Sequence, residues 1–248
     1  ESKAGVAEPG FAGALYYQVT NEQNAAERAI EWAVSPKASD LRQIAIVFDW
    51  CQQVLPAAAK RELTSQLRAA LQRPLAGMSV SEVRDQLMAA VALSGHVQTL
   101  PEKRLKAIVT EWWPAQIVKP VLANRNPVPR RELYALFEIL HVVRDNLQLD
   151  LREKIPGYFK DMPVSYVMGH YPAPFPSNAG FFRIPAEKGL EQPEQRAAEL
   201  SRLAGLAMVA YDGNAQEAQF AQGWLIDDRF LLQTSFGAVG NRAPERLL

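Results

Sequence analysis

Cysteine and histidine are both scarce in this chain of 248 residues. The single cysteine, Cys51, excludes a disulfide framework within the chain and any zinc site built from several cysteines. The three histidines, His96, His141 and His170, lie far apart in the sequence, so a histidine metal cluster would depend on tertiary contacts alone. We therefore predict no metal and no other cofactor. Cys51 lies within an apolar stretch, and we interpret it as a small buried hydrophobic residue.

A surplus of charge and a long hydrophobic run are also absent. The 27 lysines and arginines balance the 27 aspartates and glutamates, which argues against a nucleic-acid partner held by phosphate neutralisation. Apolar runs such as 44–48 and 206–210 are about a quarter of the ~20 residues that cross a bilayer, so we predict no membrane span. No glycine-rich phosphate loop and no HExxH motif occurs. The composition, 48% apolar and 22% charged, is typical of a globular protein.

Helical periodicity is the dominant signal along the chain. Apolar residues recur at helical spacing, whereas period-two alternation and hairpin dipeptides are nearly absent. Three pairs predict the starts of helices, since each combines a capping residue with a glutamate or glutamine three positions later: Asn24 with Glu27, Asp40 with Gln43, and Ser79 with Glu82. The helix after Asp40 is apolar on almost every side, which predicts that neighbouring helices enclose it. Further helices are predicted at 57–72, 101–112, 130–147 and 192–212.

We therefore predict an all-α protein whose consecutive helices form antiparallel hairpins in a single helical domain over residues 1–248. Six prolines interrupt residues 163–193, and this aperiodic segment is predicted to be an irregular strap across the helices. The chain begins at Glu1 and ends soon after two glycines, so we expect a processed, exported product that is part of a longer protein. A periplasmic or secreted location is expected, with a cytoplasmic one as the alternative.

The densest group of candidate functional residues lies in the strap. His170 and its neighbour Tyr171 would supply a proton acceptor and a proton donor near neutral pH, and Tyr166 is a further candidate for the same chemistry. Arg183 is a candidate for binding the substrate. The alternative is structural, because aromatic residues in a proline-rich segment also fasten that segment to the helices beneath it.

Asp49 and Trp50 form a second candidate site, because a carboxylate within an apolar helix is costly unless it has a partner. One interpretation is a structural partner, such as an arginine or the end of a neighbouring helix. The other is a carboxylate that faces a substrate groove, with the tryptophan as an aromatic surface for a sugar. At Trp112-Trp113, adjacent positions point in different directions on a helix, so we expect one ring in the core and treat Trp113 as a candidate binding residue.

The Phe48-Asp49-Trp50 helix, in an N-terminal series of helical hairpins, resembles the α/α-toroid domain of heparinase II/III-like and alginate-lyase-like polysaccharide lyases. The resemblance implies an incomplete helical toroid, a groove that binds sugars, and a β-sandwich domain after Leu248. Members of that family use an asparagine–histidine pair, which this chain lacks as a dipeptide; its nearest asparagines are Asn124, Asn126 and Asn178.

These observations lead to three functional hypotheses. The first is a helical carbohydrate-binding module of an exported protein, derived from a lyase-like toroid, with a polysaccharide or oligosaccharide as its partner. The second is a polysaccharide lyase that cleaves uronate-containing glycans by β-elimination. The third is a helical scaffold for protein–protein interaction.

Overall fold

The computed structural model describes residues 8–159 and the backbone of two short strands at 175–177 and 180–182. The chain divides into two compact units, Glu1–Pro120 and Val121–Leu248. No boundary at this position is predicted from the sequence, and a single helical domain over residues 1–248 remains a prediction.

Nearly all regular structure in the described residues is helical, which confirms the all-α prediction. The first unit contains six α-helices: α1 Pro9–Thr20, α2 Gln23–Ala33, α3 Leu41–Trp50, α4 Ala57–Leu71, α5 Val80–Leu93 and α6 Leu100–Ala107. A 3-10 turn at Gln52–Val54 follows α3, and a π-helix, Ile108–Val118, continues α6. The short helix α7, Lys119–Leu122, spans the unit boundary. In the second unit, 3-10 turns at Arg130–Glu132 and Leu151–Lys154 flank α8, Leu133–Leu147.

One antiparallel hairpin lies within the segment predicted to be irregular. Strand β1, Phe175–Ser177, pairs with strand β2, Gly180–Phe182, so that Phe175 lies opposite Phe182. The prediction of wholly irregular chain over 163–193 is therefore wrong at these positions, because backbone hydrogen bonds pair the two segments. The other residues of the strap lie outside the described part of the chain.

Two of the three predicted helix starts are confirmed. The Asp40 carboxylate accepts a hydrogen bond from the Gln43 backbone N–H at 3.2 Å, and Ser79 and Glu82 form a complete capping box. The third prediction is wrong, since Asn24 lies inside α2. The preceding helix, α1, leaves only two connecting residues before Gln23, and Asn21 ends α1 in a left-handed conformation. The start of α2 is thus set by the length of this turn.

Helices α1, α3 and α5 run parallel, with their C-terminal ends on the same side of the first unit. The Gln43 side chain, at the start of α3, accepts hydrogen bonds from the backbone N–H groups of Gly10 and Phe11, at the start of α1. The Gln18 amide, near the end of α1, donates to the Trp50 carbonyl, at the end of α3. His96, just beyond α5, contacts Phe48 of α3. Contacts at matching ends require parallel directions.

Helix α4 returns in the opposite direction. Arg73, just after α4, forms a 3.5 Å ion pair with Glu82, at the start of α5, and Gln86 of α5 donates to the Ala70 carbonyl at 2.9 Å. The end of α4 therefore lies beside the beginning of α5, as in an antiparallel hairpin. Arg104 of α6 donates to the carbonyls of Leu71 and Arg73, where a cation is favoured by the helix dipole.

Helix α3 lies at the centre of this unit, as its apolar sequence predicts. It contacts α1, α2, α4 and α5, and its Val47 and Phe48 are completely buried. Cys51 is also completely buried, which confirms its interpretation as a small core residue. The α-helix ends at Trp50, and the 3-10 turn at Gln52–Val54 follows it.

The described part of the second unit packs around α8. Leu136, Phe137 and Ile139 of α8 are buried, and Phe159 is buried against the ring of Tyr158 with centroids 5.1 Å apart. The Tyr158 hydroxyl donates to the Asn126 side chain at 2.9 Å.

Candidate ligand-binding site at the end of α3

The carboxyl end of α3 presents a polar and aromatic cluster, which we call the α3-end cluster. It consists of six residues from three parallel helices and their flanking turns: Phe11, Gln18, Asp49, Trp50, Gln52 and His96. The parallel arrangement of α1, α3 and α5 brings five of them together at the helix ends and the turns that follow. The sixth, Phe11, lies near the start of α1 and joins the cluster through its ring contact with Trp50. Two of the six, Asp49 and Trp50, are predicted from the sequence as substrate-binding candidates.

The aromatic part of the cluster is formed by Trp50 and Phe11. Their ring centroids are 5.9 Å apart and their planes are inclined at 47°. Trp50 is half-buried, so part of its indole is exposed to solvent while the remainder packs against the core. Arg42 also contacts Phe11, with its guanidinium carbon 5.2 Å from the ring centroid. The orientation of the tryptophan is thus supported by a side chain that is itself packed.

Asp49 precedes Trp50 on α3 and is exposed to solvent. Its pKa is raised, because surrounding protein atoms desolvate the carboxylate even though the side chain is exposed; the positive form of His96 acts in the opposite direction. The structure therefore gives Asp49 a histidine neighbour beyond the end of α5. The two interpretations from the sequence, a structural partner and a carboxylate that faces a substrate groove, both remain predictions.

His96 closes the cluster from the α5 side. Its ring stands edge-on to Phe48, and its Nε2 is hydrogen-bonded to the Gln52 amide nitrogen. The turn that carries His96 includes Gly95, whose φ of +81° is readily adopted by glycine. Asp49, Gln52 and His96 together offer both donors and acceptors to a ligand.

Sequence reasoning does not identify Gln18, Gln52 or His96 as members of a site. The sequence gives little indication that these three residues share a site, because they are up to about eighty positions apart and only the tertiary fold brings them together. If every second helix packs in parallel, the residues that follow each helix end lie side by side. That packing is what consecutive antiparallel hairpins produce, whereas the identity of the residues at each helix end does not follow from it.

Trp113 does not belong to this cluster. Trp112 and Trp113 are both buried, with exposed fractions of 6% and 2%, so the expectation that one of the pair is exposed is wrong. The physical reason is that their segment, Ile108–Val118, is a π-helix, whose wider turn places residues four and five positions apart on one side. Both rings therefore lie on its buried side, together with Ile108, Ile117 and Val118. The remaining candidates, Tyr166, His170, Tyr171 and Arg183, lie outside the described residues.

A second exposed surface, not predicted from the sequence, lies along α4. A cavity of about 610 Å³ opens beside this helix. Its lining includes three cations and three uncharged polar residues: Lys60, Arg61, Thr64, Ser65, Arg68 and Gln72. We call this surface the α4 basic face. In the part of the chain that the structure describes, none of its three cations forms an ion pair.

Within residues 8–159, no cluster of three histidine, cysteine or acidic side chains is arranged to hold a metal ion. Across the same residues, every helix is too short or too polar to cross a bilayer. Comparison of the chain with family models, curated proteins and solved structures finds no match. The function must therefore be argued from the two surfaces themselves.

Proposed function

We propose that this chain is a helical carbohydrate-binding module of an exported protein, and that its hairpins belong to an incomplete α/α toroid. The α3-end cluster is the observation that carries the proposal. Trp50 offers part of an aromatic face, and Asp49, Gln52 and His96 supply hydrogen-bonding groups at the same end of α3. A sugar ring has the complementary surface, since its apolar C–H face stacks on aromatic rings and its hydroxyls both donate and accept.

The position of the cluster supports the same conclusion. Helix carbonyls in a last turn have no intrahelical partner and attract donors such as sugar hydroxyls. Three parallel helices end on this side of the first unit, so the cluster lies among several such carbonyls. Short antiparallel connections, such as the one between α4 and α5, are also the pattern that the toroid resemblance implies.

The experiment is titration of the full chain with neutral and uronate-containing oligosaccharides, followed by calorimetry and by tryptophan fluorescence. Binding is expected to change the emission of the half-buried Trp50, and Trp50→Phe should remove most of that change while Trp112 and Trp113 remain. The substitutions Asp49→Asn and Gln52→Ala should each weaken binding by about tenfold, the effect of losing a hydrogen bond in a site.

Glu31→Gln provides a matched control, because Glu31 is exposed on α2 and is not a member of the cluster. It should leave the affinity unchanged. Failure of the chain to bind any member of the panel, or equal losses in Asp49→Asn and Glu31→Gln, would contradict the proposal. Absorbance of unsaturated uronate products in the same mixtures distinguishes binding alone from β-elimination.

A further inference from the structure

The α4 basic face contains three cations that the carbohydrate site does not use. Lys60, Arg61 and Arg68 project from one side of α4 into the cavity of about 610 Å³. Glu62, the one acidic residue of α4, points elsewhere and accepts a hydrogen bond from Gln66 at 2.9 Å. The cavity is therefore positively charged along its length, although the whole chain is neutral.

The spacing of the cations follows the helix repeat. Lys60, Thr64, Arg68 and Gln72 are four residues apart, so they form one row on the surface of α4. Lys60 and Arg68 lie about 12 Å apart along the helix axis, at a rise of 1.5 Å for each residue. In an extended peptide, side chains four residues apart point to the same side at a distance of about 13 Å. Two carboxylates with that spacing would match the two cations.

The chemistry of the remaining residues favours a peptide over a glycan. Thr64, Ser65 and Gln72 lie between and beside the cations and can hydrogen-bond to a peptide backbone. The described residues that line this cavity include no aromatic ring, which is the usual surface for a sugar. Arginine binds carboxylates with two parallel hydrogen bonds, and arginine clusters are a common means of recognising acidic motifs.

We propose that the α4 basic face binds an extended acidic peptide segment of a partner protein, with acidic residues at intervals of four. Carboxylates of the peptide pair with Lys60 and Arg61 at one end of the face and with Arg68 at the other. The polar side chains between them bind its backbone. This interaction is separate from the α3-end cluster and does not depend on carbohydrate binding.

The test measures fluorescence anisotropy of a labelled peptide of about twelve residues with glutamate at every fourth position, at low salt. Lys60→Gln/Arg61→Gln/Arg68→Gln should weaken its binding by at least about tenfold, because each charge-assisted hydrogen bond is lost while glutamine maintains the helix. The triple Arg28→Gln/Lys103→Gln/Lys106→Gln removes the same charge from exposed positions on α2 and α6 and should bind as the unmodified chain does. Far-ultraviolet circular dichroism and thermal melting establish that both triples are folded.

Three outcomes would overturn the proposal: no binding of the peptide, equal losses in the two triples, or tighter binding of an oligouronate than of the peptide by this face. Replacing every glutamate of the peptide by glutamine should abolish the signal, and persistence of binding would also contradict it. Asp49→Asn should leave peptide binding unchanged, so failure here is distinguishable from failure of the carbohydrate site.

Discussion

The imidazole of His96 stands edge-on to the phenyl ring of Phe48, with centroids 5.4 Å apart and planes at 89°. Phe48 is completely buried, whereas His96 is exposed. The contact therefore fixes the turn after α5 against the end of α3 through an apolar edge, and leaves the ring nitrogens available for Gln52 and for a ligand. This arrangement brings a histidine beside Asp49 without placing either group in the core.

The first prediction concerns Asp49, whose pKa is raised by desolvation. A raised pKa means that the ionised carboxylate is less favourable in the folded chain than in the unfolded chain, so its contribution to stability decreases as the pH rises above its usual value of 3.8. Asp49→Asn should therefore raise the melting temperature at pH 7 while it weakens sugar binding. Melting curves between pH 4 and pH 7 should show the difference shrinking as the pH falls.

Asp145 serves as a control, because its pKa is shifted in the opposite direction to that of Asp49. The Arg144 guanidinium donates a 2.8 Å hydrogen bond to it and lowers its pKa. Its ionised form is therefore favoured by folding, and the stabilisation is lost as the pH falls through the lowered value. Asp145→Asn should lower the melting temperature at pH 7. If both asparagine variants shifted stability in the same direction, the assigned desolvation of Asp49 would be incorrect.

The second prediction concerns the close approach of α1 and α2 at Gly10. A Cβ atom on Gly10 would lie 2.4 Å from a ring carbon of Trp32, far inside normal contact distance. Gly10→Ala should therefore lower the free energy of unfolding by about 1–3 kcal/mol, the usual cost of overpacking. Chemical denaturation measures this change. Gly157→Ala is the matched control, since no atom of the described residues lies within 4 Å of its Cβ position, and it should be neutral or slightly stabilising.

Much of the fold is predictable because its determinants are local. The caps at Asp40 and Ser79 and the apolar sides of α3 operate over a few residues, and both are visible in the sequence. Helix α1 is not predicted from the sequence, although Pro9 at its first turn and Asn21 at its end are typical boundary residues. Its glycines and alanines give little periodicity, because close packing on α2 depends on small side chains rather than on a hydrophobic stripe.

The two candidate sites depend on long-range contacts to different degrees. Asp49 and Trp50 are predictable because an ionisable group in an apolar helix can be recognised from the sequence alone. His96 is not, since its role depends on the contact with Phe48, forty-eight positions earlier. The α4 basic face could be read from the four-residue spacing of its side chains, but only the tertiary fold shows which side of α4 is exposed.

The third prediction concerns the capping box that begins α5. The Ser79 hydroxyl accepts from the Glu82 backbone N–H at 3.2 Å, and the Glu82 carboxylate accepts from the Ser79 backbone N–H at 2.9 Å. Ser79→Ala should lower the free energy of unfolding by about 1 kcal/mol. Ser79→Asp should restore most of the loss, because aspartate is also a good capping residue. An alanine variant as stable as the original chain, measured by chemical denaturation, would exclude a role for the cap.

The last prediction uses Cys51 as a reporter of the α3-end cluster, since it directly follows Trp50. Burial raises its pKa to about 11, and its side chain is fully inaccessible. At pH 8 only about one thiol in a thousand would be ionised, and the thiolate is the reactive form. Labelling with a disulfide reagent should therefore be very slow in the native chain and fast in urea, with Cys51→Ser as the blank.

A bound oligosaccharide should slow native labelling further, because a ligand that binds only the folded form suppresses local opening. Native labelling as fast as that of the unfolded chain would contradict the buried position of this thiol. If the bound oligosaccharide left the native labelling rate unchanged, Cys51 would not report on the binding site.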